Sequence, residues 1–158
     1  MTSIVDITGS FPLTVCTPFA TDAPPSHASL KTLHLELNSC ATTIPSNLGG
    51  ATYGHLFLCM PAATYLALPN AAAFVAPVNP GNAPIIAAGA TNAFITEANR
   101  AHLVQVKTHE TYLLTDSALK KLLLEAVPTT YLQTLQHETL GFALCPFFAF
   151  ILHQNDFP

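Results

Sequence analysis

The residues best suited to chemistry in this 158-residue chain are seven histidines and four cysteines, so their spacing comes first. Imidazole titrates near neutral pH and ligates metals, but a useful site needs partners at the right distance. His102 and His109 stand seven apart. On a helix that puts them on one face, about 10.5 Å apart along the axis, too far to share one ion. His27 and His34 repeat the same spacing. Glu110 follows His109 and Glu138 follows His137, yet neither pair has the second histidine of a H-E-x-x-H helix. Cys16, Cys40, Cys59 and Cys145 are never closer than nineteen positions. That excludes a zinc knuckle or ribbon. The four thiols read as small buried hydrophobes of a reducing, intracellular and cytoplasmic compartment.

Other catalytic patterns fail in the same way. Gly49-Gly50-Ala51-Thr52-Tyr53-Gly54 is glycine-rich but no lysine follows it, so it matches neither a P-loop nor a dinucleotide fingerprint. It reads as a turn that lets backbone pack closely. No G-x-S-x-G elbow occurs, and Asp6-Ile7-Thr8-Gly9 has one residue too many for an aspartic-protease triplet. The expectation is therefore no catalytic residue, no cofactor and no metal. A small enzyme built on His55, His102 or His109 is the least supported reading.

The elements that would hold these residues are mostly helical. Residues 1–26 carry Pro12, Pro18, Pro24 and Pro25 and read as an extended arm, with a short strand at Ile4–Ile7. A helix is expected from His27, capped by Ser26 or Ser29 and striped by Leu30, Leu33, Leu37 and Ala41. It frays from Asn38 to Thr43 and ends at Pro45. His55–Met60 reads as a short buried helix, and Pro61 opens another through Ala62, Ala63, Tyr65 and Leu66. Pro69, Pro77, Pro80 and Pro84 impose a long loop over residues 69–90. Residues 93–127 hold neither proline nor glycine and form the longest helix, with Thr108, Thr111 and Thr115 marking a possible kink. Leu119, Leu122, Leu123 and Ala126 give it an apolar face. Pro128 ends it, a short helix follows over 129–136, and Cys145–His153 is a last apolar helix. The fold class is all-α: an arm over residues 1–26 and one helical domain over 27–158.

Composition narrows the function. Only 9% of residues are charged and half are hydrophobic, against about 25% charged in an ordinary soluble domain. No Asp, Glu, Lys or Arg occurs from Leu37 to Thr96. A surface so poor in charge has apolar patches that a partner must cover. Five basic residues and a net charge of −4 leave no phosphate track, so tight nucleic-acid binding by this chain alone is not expected. The N-terminus lacks the regions of a signal peptide. The apolar stretch Leu140–Leu152 is interrupted by Pro146 and is shorter than the roughly twenty residues a bilayer requires.

Several ordered motifs point further. Ile44-Pro45-Ser46-Asn47-Leu48-Gly49-Gly50 is followed by Gly54-His55-Leu56 and Leu58, and preceded by Leu30, Leu33, Glu36 and Leu37. Then come Pro61-Ala62-Ala63-Thr64-Tyr65, Phe74-Val75-Ala76-Pro77 with Pro80-Gly81, Ala88-Gly89-Ala90-Thr91, and Leu119-Lys120-Lys121 before Tyr131-Leu132 and Leu135. This order, over roughly residues 28–137, resembles the Gag polyproteins of Copia-type LTR retrotransposons. The family pattern ends on "H-L-x-x-T-Y-G", where this chain has Ile151-Leu152-His153-Gln154-Asn155-Asp156, as in a truncated or domesticated copy. The resemblance implies an all-helical capsid-type domain that packs through weak repeated contacts, without the zinc knuckle through which Gag usually binds RNA.

The expected function is thus a non-enzymatic, self-assembling structural domain. A scaffold subunit buried in a larger protein complex is the alternative. The partner-facing residues are expected to be Phe74, Val75, Ile85 and Ile86 in the loop, and Phe147, Phe148, Phe150 and Ile151 in the last helix.

Overall fold

A computed structural model describes residues 3–20, 25–133 and 138. Among them the structure is helical with no strand, and its longest helix is the expected one. The last helix expected at Cys145–His153, with Phe147, Phe148, Phe150 and Ile151, lies outside the described residues.

The first element corrects the expected strand. Ile4–Gly9 is a helix, α1. β-branched side chains favour strands, but Ser3 and Asp6 form a reciprocal capping box. The Asp6 amide donates to Ser3 Oγ at 3.2 Å and the Ser3 amide to Asp6 Oδ2 at 2.7 Å. After α1 the arm runs without helix and docks on the body. Ile7, Phe11, Cys16 and Phe19 are buried in the main core. The Phe19 amide donates to the Ala126 carbonyl at 2.9 Å, and the Thr17 amide donates to Glu36 Oε2 at 2.8 Å. The prolines keep this segment non-helical without keeping it out of the core.

Helix α2, His27–Thr43, starts where the sequence places it. Ser26 caps it through a 3.1 Å bond from the Ser29 amide to Ser26 Oγ. The helix runs intact to Thr43 and ends at Ile44, before Pro45. Its buried stripe is Leu30, Leu33, Leu37, Cys40 and Ala41.

Beyond α2 the chain folds back through three glycines with positive φ, Gly49, Gly50 and Gly54. Gly49 (φ +60°) leaves room for the Tyr65 hydroxyl, which donates to the Gly49 carbonyl at 2.6 Å. Gly54 (φ +56°) sits against the end of α2, where a Cβ would lie 2.6 Å from the Ile44 carbonyl oxygen and 2.7 Å from that of Thr42. Only glycine fits there. Every residue from His55 to Met60 is buried. Leu56–Leu58 forms a 3₁₀ turn. Helix α3 is Ala62–Leu66, with Pro61 at its entry and Tyr65 buried.

Residues 69–90 hold no helix or strand. Helix α4, Asn92–Ala126, is unbroken. The threonines in its middle do not interrupt it. Thr115 is fully buried and satisfies its hydroxyl on the Thr111 carbonyl at 2.7 Å. Helix α4 packs on α1 and α2 through Ala118, Leu119, Leu122, Leu123 and Ala126. Pro128 precedes a single helical turn, α5, Thr129–Leu132.

Candidate functional site

Among the described residues the histidines and cysteines do not assemble into a metal-binding group. His55 is buried, with its Nδ1–H directed to the Ile44 carbonyl at 3.1 Å. Burial lowers its pKa from 6.5, so the ring is neutral at pH 7. His34 Nε2 lies 3.0 Å from the Cys59 carbonyl. Cys16, Cys40 and Cys59 are free and buried. Burial pushes the Cys16 thiol up to about 12 and raises those of Cys40 and Cys59. Such thiols are poor nucleophiles. Among the described residues no group of three or more His, Cys, Asp or Glu could hold a metal ion.

The unusual geometry lies elsewhere. Between Tyr65 and Thr115 not one residue is buried. The fully buried part of α4 therefore begins at Thr115, and the helix runs on as an overhang over residues 92–114, where Tyr112 and Leu114 still pack half-buried against the core. At 1.5 Å per residue this overhang is about 35 Å long. The loop lies along it. Phe74 stacks on Phe57 with ring centres 3.8 Å apart and meets Tyr112 at 5.8 Å. Residues Pro77–Pro80 then face Val104, Gln105 and Thr108 across a cleft of about 460 Å³. A neighbouring cleft of about 290 Å³ lies among Ser46, Asn47, His55, Lys107 and Thr111. Asn47, Val104 and Thr108 line both, making one groove.

No family model, curated protein or solved structure matches this chain.

The overhang concentrates exposed apolar surface. Of twelve large apolar side chains exposed among the described residues, four lie on it, Phe94, Leu103, Val104 and Leu113, and three in the loop over residues 69–90, Val75, Val78 and Ile85. Each such side chain offers about 60–120 Å² when buried, from about 1.5–3 kcal/mol at about 25 cal/mol per Å². With exposures of 46–102%, the seven together offer about 400 Å². One side of a standard interface contributes about the same apolar area.

The expected interface residues divide. Val75 and Ile85 are 76% and 102% exposed, and Ile86 is half-buried. Phe74 is half-buried, and its stack on Phe57 fastens the loop to the body. Sequence reasoning missed Leu103, Val104 and Leu113. The signal for Leu103 and Leu113 was an apolar spacing on the far side of α4 from the core stripe, and Val104 continues the core stripe itself, which is readable only once the core side is known.

Proposed function

We propose that this chain is a non-enzymatic structural protein that assembles with copies of itself, in the manner of a Gag capsid-type domain. The observation that carries the reading is the overhang, which leaves Phe94, Leu103, Val104 and Leu113 exposed on a stretch of helix with no fully buried residue. Exposed apolar surface of this kind marks an interaction site. The low charge supports a surface meant to be covered, and so does the order of motifs shared with Copia-type Gag. Phe147, Phe148, Phe150 and Ile151, outside the described residues, remain partner-facing candidates on their sequence alone. The three buried thiols suit a reducing, cytoplasmic setting. Among the described residues no helix is long and apolar enough to cross a membrane.

Sedimentation and light scattering on the purified chain over a wide concentration range test this. The expected result is a mass that grows with concentration. A monomer at every concentration overturns self-assembly and leaves the scaffold reading, in which a foreign subunit is the cover.

A further inference from the structure

We propose that the inner cleft, between the end of α2 and helix α4, binds a phosphate group, free or carried by a small monoester. Lys107, Thr108 and Thr111 of α4 and Ser46 opposite them hold its oxygens, and His55 shares a proton with one of them.

The α4 wall follows from spacing. Val104, Lys107, Thr108 and Thr111 stand at i, i+3, i+4 and i+7, so they share one face, and all four line the cleft of about 290 Å³. Thr108 Oγ1 accepts from the Asn47 side-chain amide at 3.4 Å, and Ser46 Oγ accepts from the Leu48 amide at 3.1 Å. Both hydroxyls therefore keep their own proton to donate. Among the described residues the Thr111 hydroxyl has no partner and Lys107 makes no ion pair. Nor does any carboxylate among them line this cleft. One ammonium and three hydroxyl protons without a counter-charge form a site for an oxyanion.

His55 makes this a built site and not a surface lysine among threonines. It is 2% exposed. Its amide donates to the Ala41 carbonyl at 2.9 Å, its Nδ1–H to the Ile44 carbonyl at 3.1 Å, and its ring lies 5.6 Å from that of Phe57. A carbonyl only accepts, so Nδ1 carries the proton of the neutral ring and Nε2 holds a lone pair. Nε2 has no partner among the described residues and opens on the cleft that His55 lines. A lone pair so placed calls for a donor. The ligand must then accept from Lys107 and the hydroxyls and donate to His55. A carboxylate has lost its proton by about pH 4. A phosphate loses its last one only near about pH 6, so close to neutrality a singly protonated form is at hand. Its P–O⁻ oxygens meet Lys107 and the hydroxyls, and its P–OH donates to Nε2. Asn47, Val104 and Thr108 lead on into the outer cleft of about 460 Å³, where Pro77 and Val78 offer apolar surface to the organic part of a monoester.

Calorimetric titration of the full chain at pH 7, with inorganic phosphate and with phenyl phosphate, tests this. Saturable one-to-one binding is expected, with sulfate and acetate at least about tenfold weaker. Lys107→Gln should weaken phosphate at least about tenfold, and Thr111→Val by about threefold or more, with helical circular dichroism unchanged. Phosphate should also shift the nitrogen resonance of His55 Nε2, which a charge effect at Lys107 alone would leave in place. Phenyl phosphate binding more tightly than inorganic phosphate identifies a monoester as the occupant; binding no more tightly identifies the free ion. The proposal is overturned by a chain that neither phosphate saturates, by sulfate as tight as phosphate, or by unchanged affinity in Lys107→Gln. A His55 resonance that stays in place while phosphate binds overturns it as well. Sedimentation of the same samples reports association separately, so a chain that stays monomeric refutes self-assembly and leaves this site standing.

Discussion

Helix α4 is two helices in one. Its inner part, from Thr115, turns Ala118, Leu119, Leu122, Leu123 and Ala126 to the core. Its outer side there is polar, with Lys120 bound to Asp116 at 2.7 Å and Lys121 facing Glu125 at 3.8 Å. The outer part, residues 92–114, inverts this. Its solvent side carries Leu103 and Leu113, and its core side borders a groove. Both parts share the same lack of breakers and a single hydrogen-bonded rod. The difference is what each apolar face meets: the inner part turns it to the core of its own chain, and the outer part leaves it exposed. A helix boundary therefore need not be a core boundary, and the latter is the one that carries functional information.

The largest effects should fall on the inner part. Leu122→Ala removes a side chain only 2% exposed and should cost about 2–5 kcal/mol in urea unfolding. Leu103→Ala, measured at a concentration where the chain is dispersed, should cost no more than about 0.5 kcal/mol, as an exposed site does. Equal losses at the two positions would erase the distinction. Gly54→Ala belongs with the first: beyond about 1–2 kcal/mol for left-handed backbone, its Cβ would press on the carbonyls that end α2.

Much of this division was latent in the sequence. The Ser26 cap, the entry at Pro61 and the breaker-free run from 93 to 127 placed α2, α3 and α4 within a residue or so, because capping and proline act locally. The same local chemistry was overlooked at Ser3 and Asp6, where β-branched neighbours pointed to a strand and the capping box won. Which stripe of α4 is core is a different kind of fact. Leu119–Leu122–Ala126 and Leu103–Val106–Leu113 are equally good stripes on paper. Only the positions of α1 and α2 decide that one is covered. Phe74 shows a similar limit: an aromatic in a proline-rich loop signals an anchor, but only the structure shows its stack on Phe57.

A loss of intermediate size should come from the turn that fastens the body beside the overhang. Tyr65→Phe deletes the hydroxyl that donates to the Gly49 carbonyl at 2.6 Å. Leaving that carbonyl unpaired should cost about 1–3 kcal/mol. Because Gly49 and Phe57 both border Tyr65, the loss should also loosen the Phe74 stack. Near-ultraviolet dichroism should then change more than helical content. A variant as stable as wild type would show that this turn is not part of the body.

His55 sharpens the boundary by pH. Its pKa is lowered in the fold, chiefly by burial, from 6.5 in the unfolded chain. The neutral ring is thus the native form. Its contribution is fully present above pH 6.5 and declines as pH falls below it, because the unfolded chain takes up the proton first. The slope cannot exceed about 1.4 kcal/mol per pH unit for one proton. His55→Asn should flatten the stability profile between about pH 5 and 6.5. A slope that survives this change would come from another group.

The smallest effects separate the ion pairs of the two parts. Lys120 and Asp116 are each about three-quarters covered, with side-chain exposures of 26% and 27%. Asp116→Asn should therefore cost about 0.2–0.5 kcal/mol, a drop in Tm of about 1–2 °C. Arg100 and Glu97, in the overhang, are 68% and 63% exposed. Their bidentate contact, at 2.7 and 2.9 Å, is screened by water and salt. Glu97→Gln should leave the Tm of the dispersed chain unchanged, and raising the salt concentration should narrow the gap between the two variants. If Glu97→Gln proves the more damaging, the outer part of α4 is stabilised by its own chain more than its exposure suggests. The contrast between the two parts would then be one of degree.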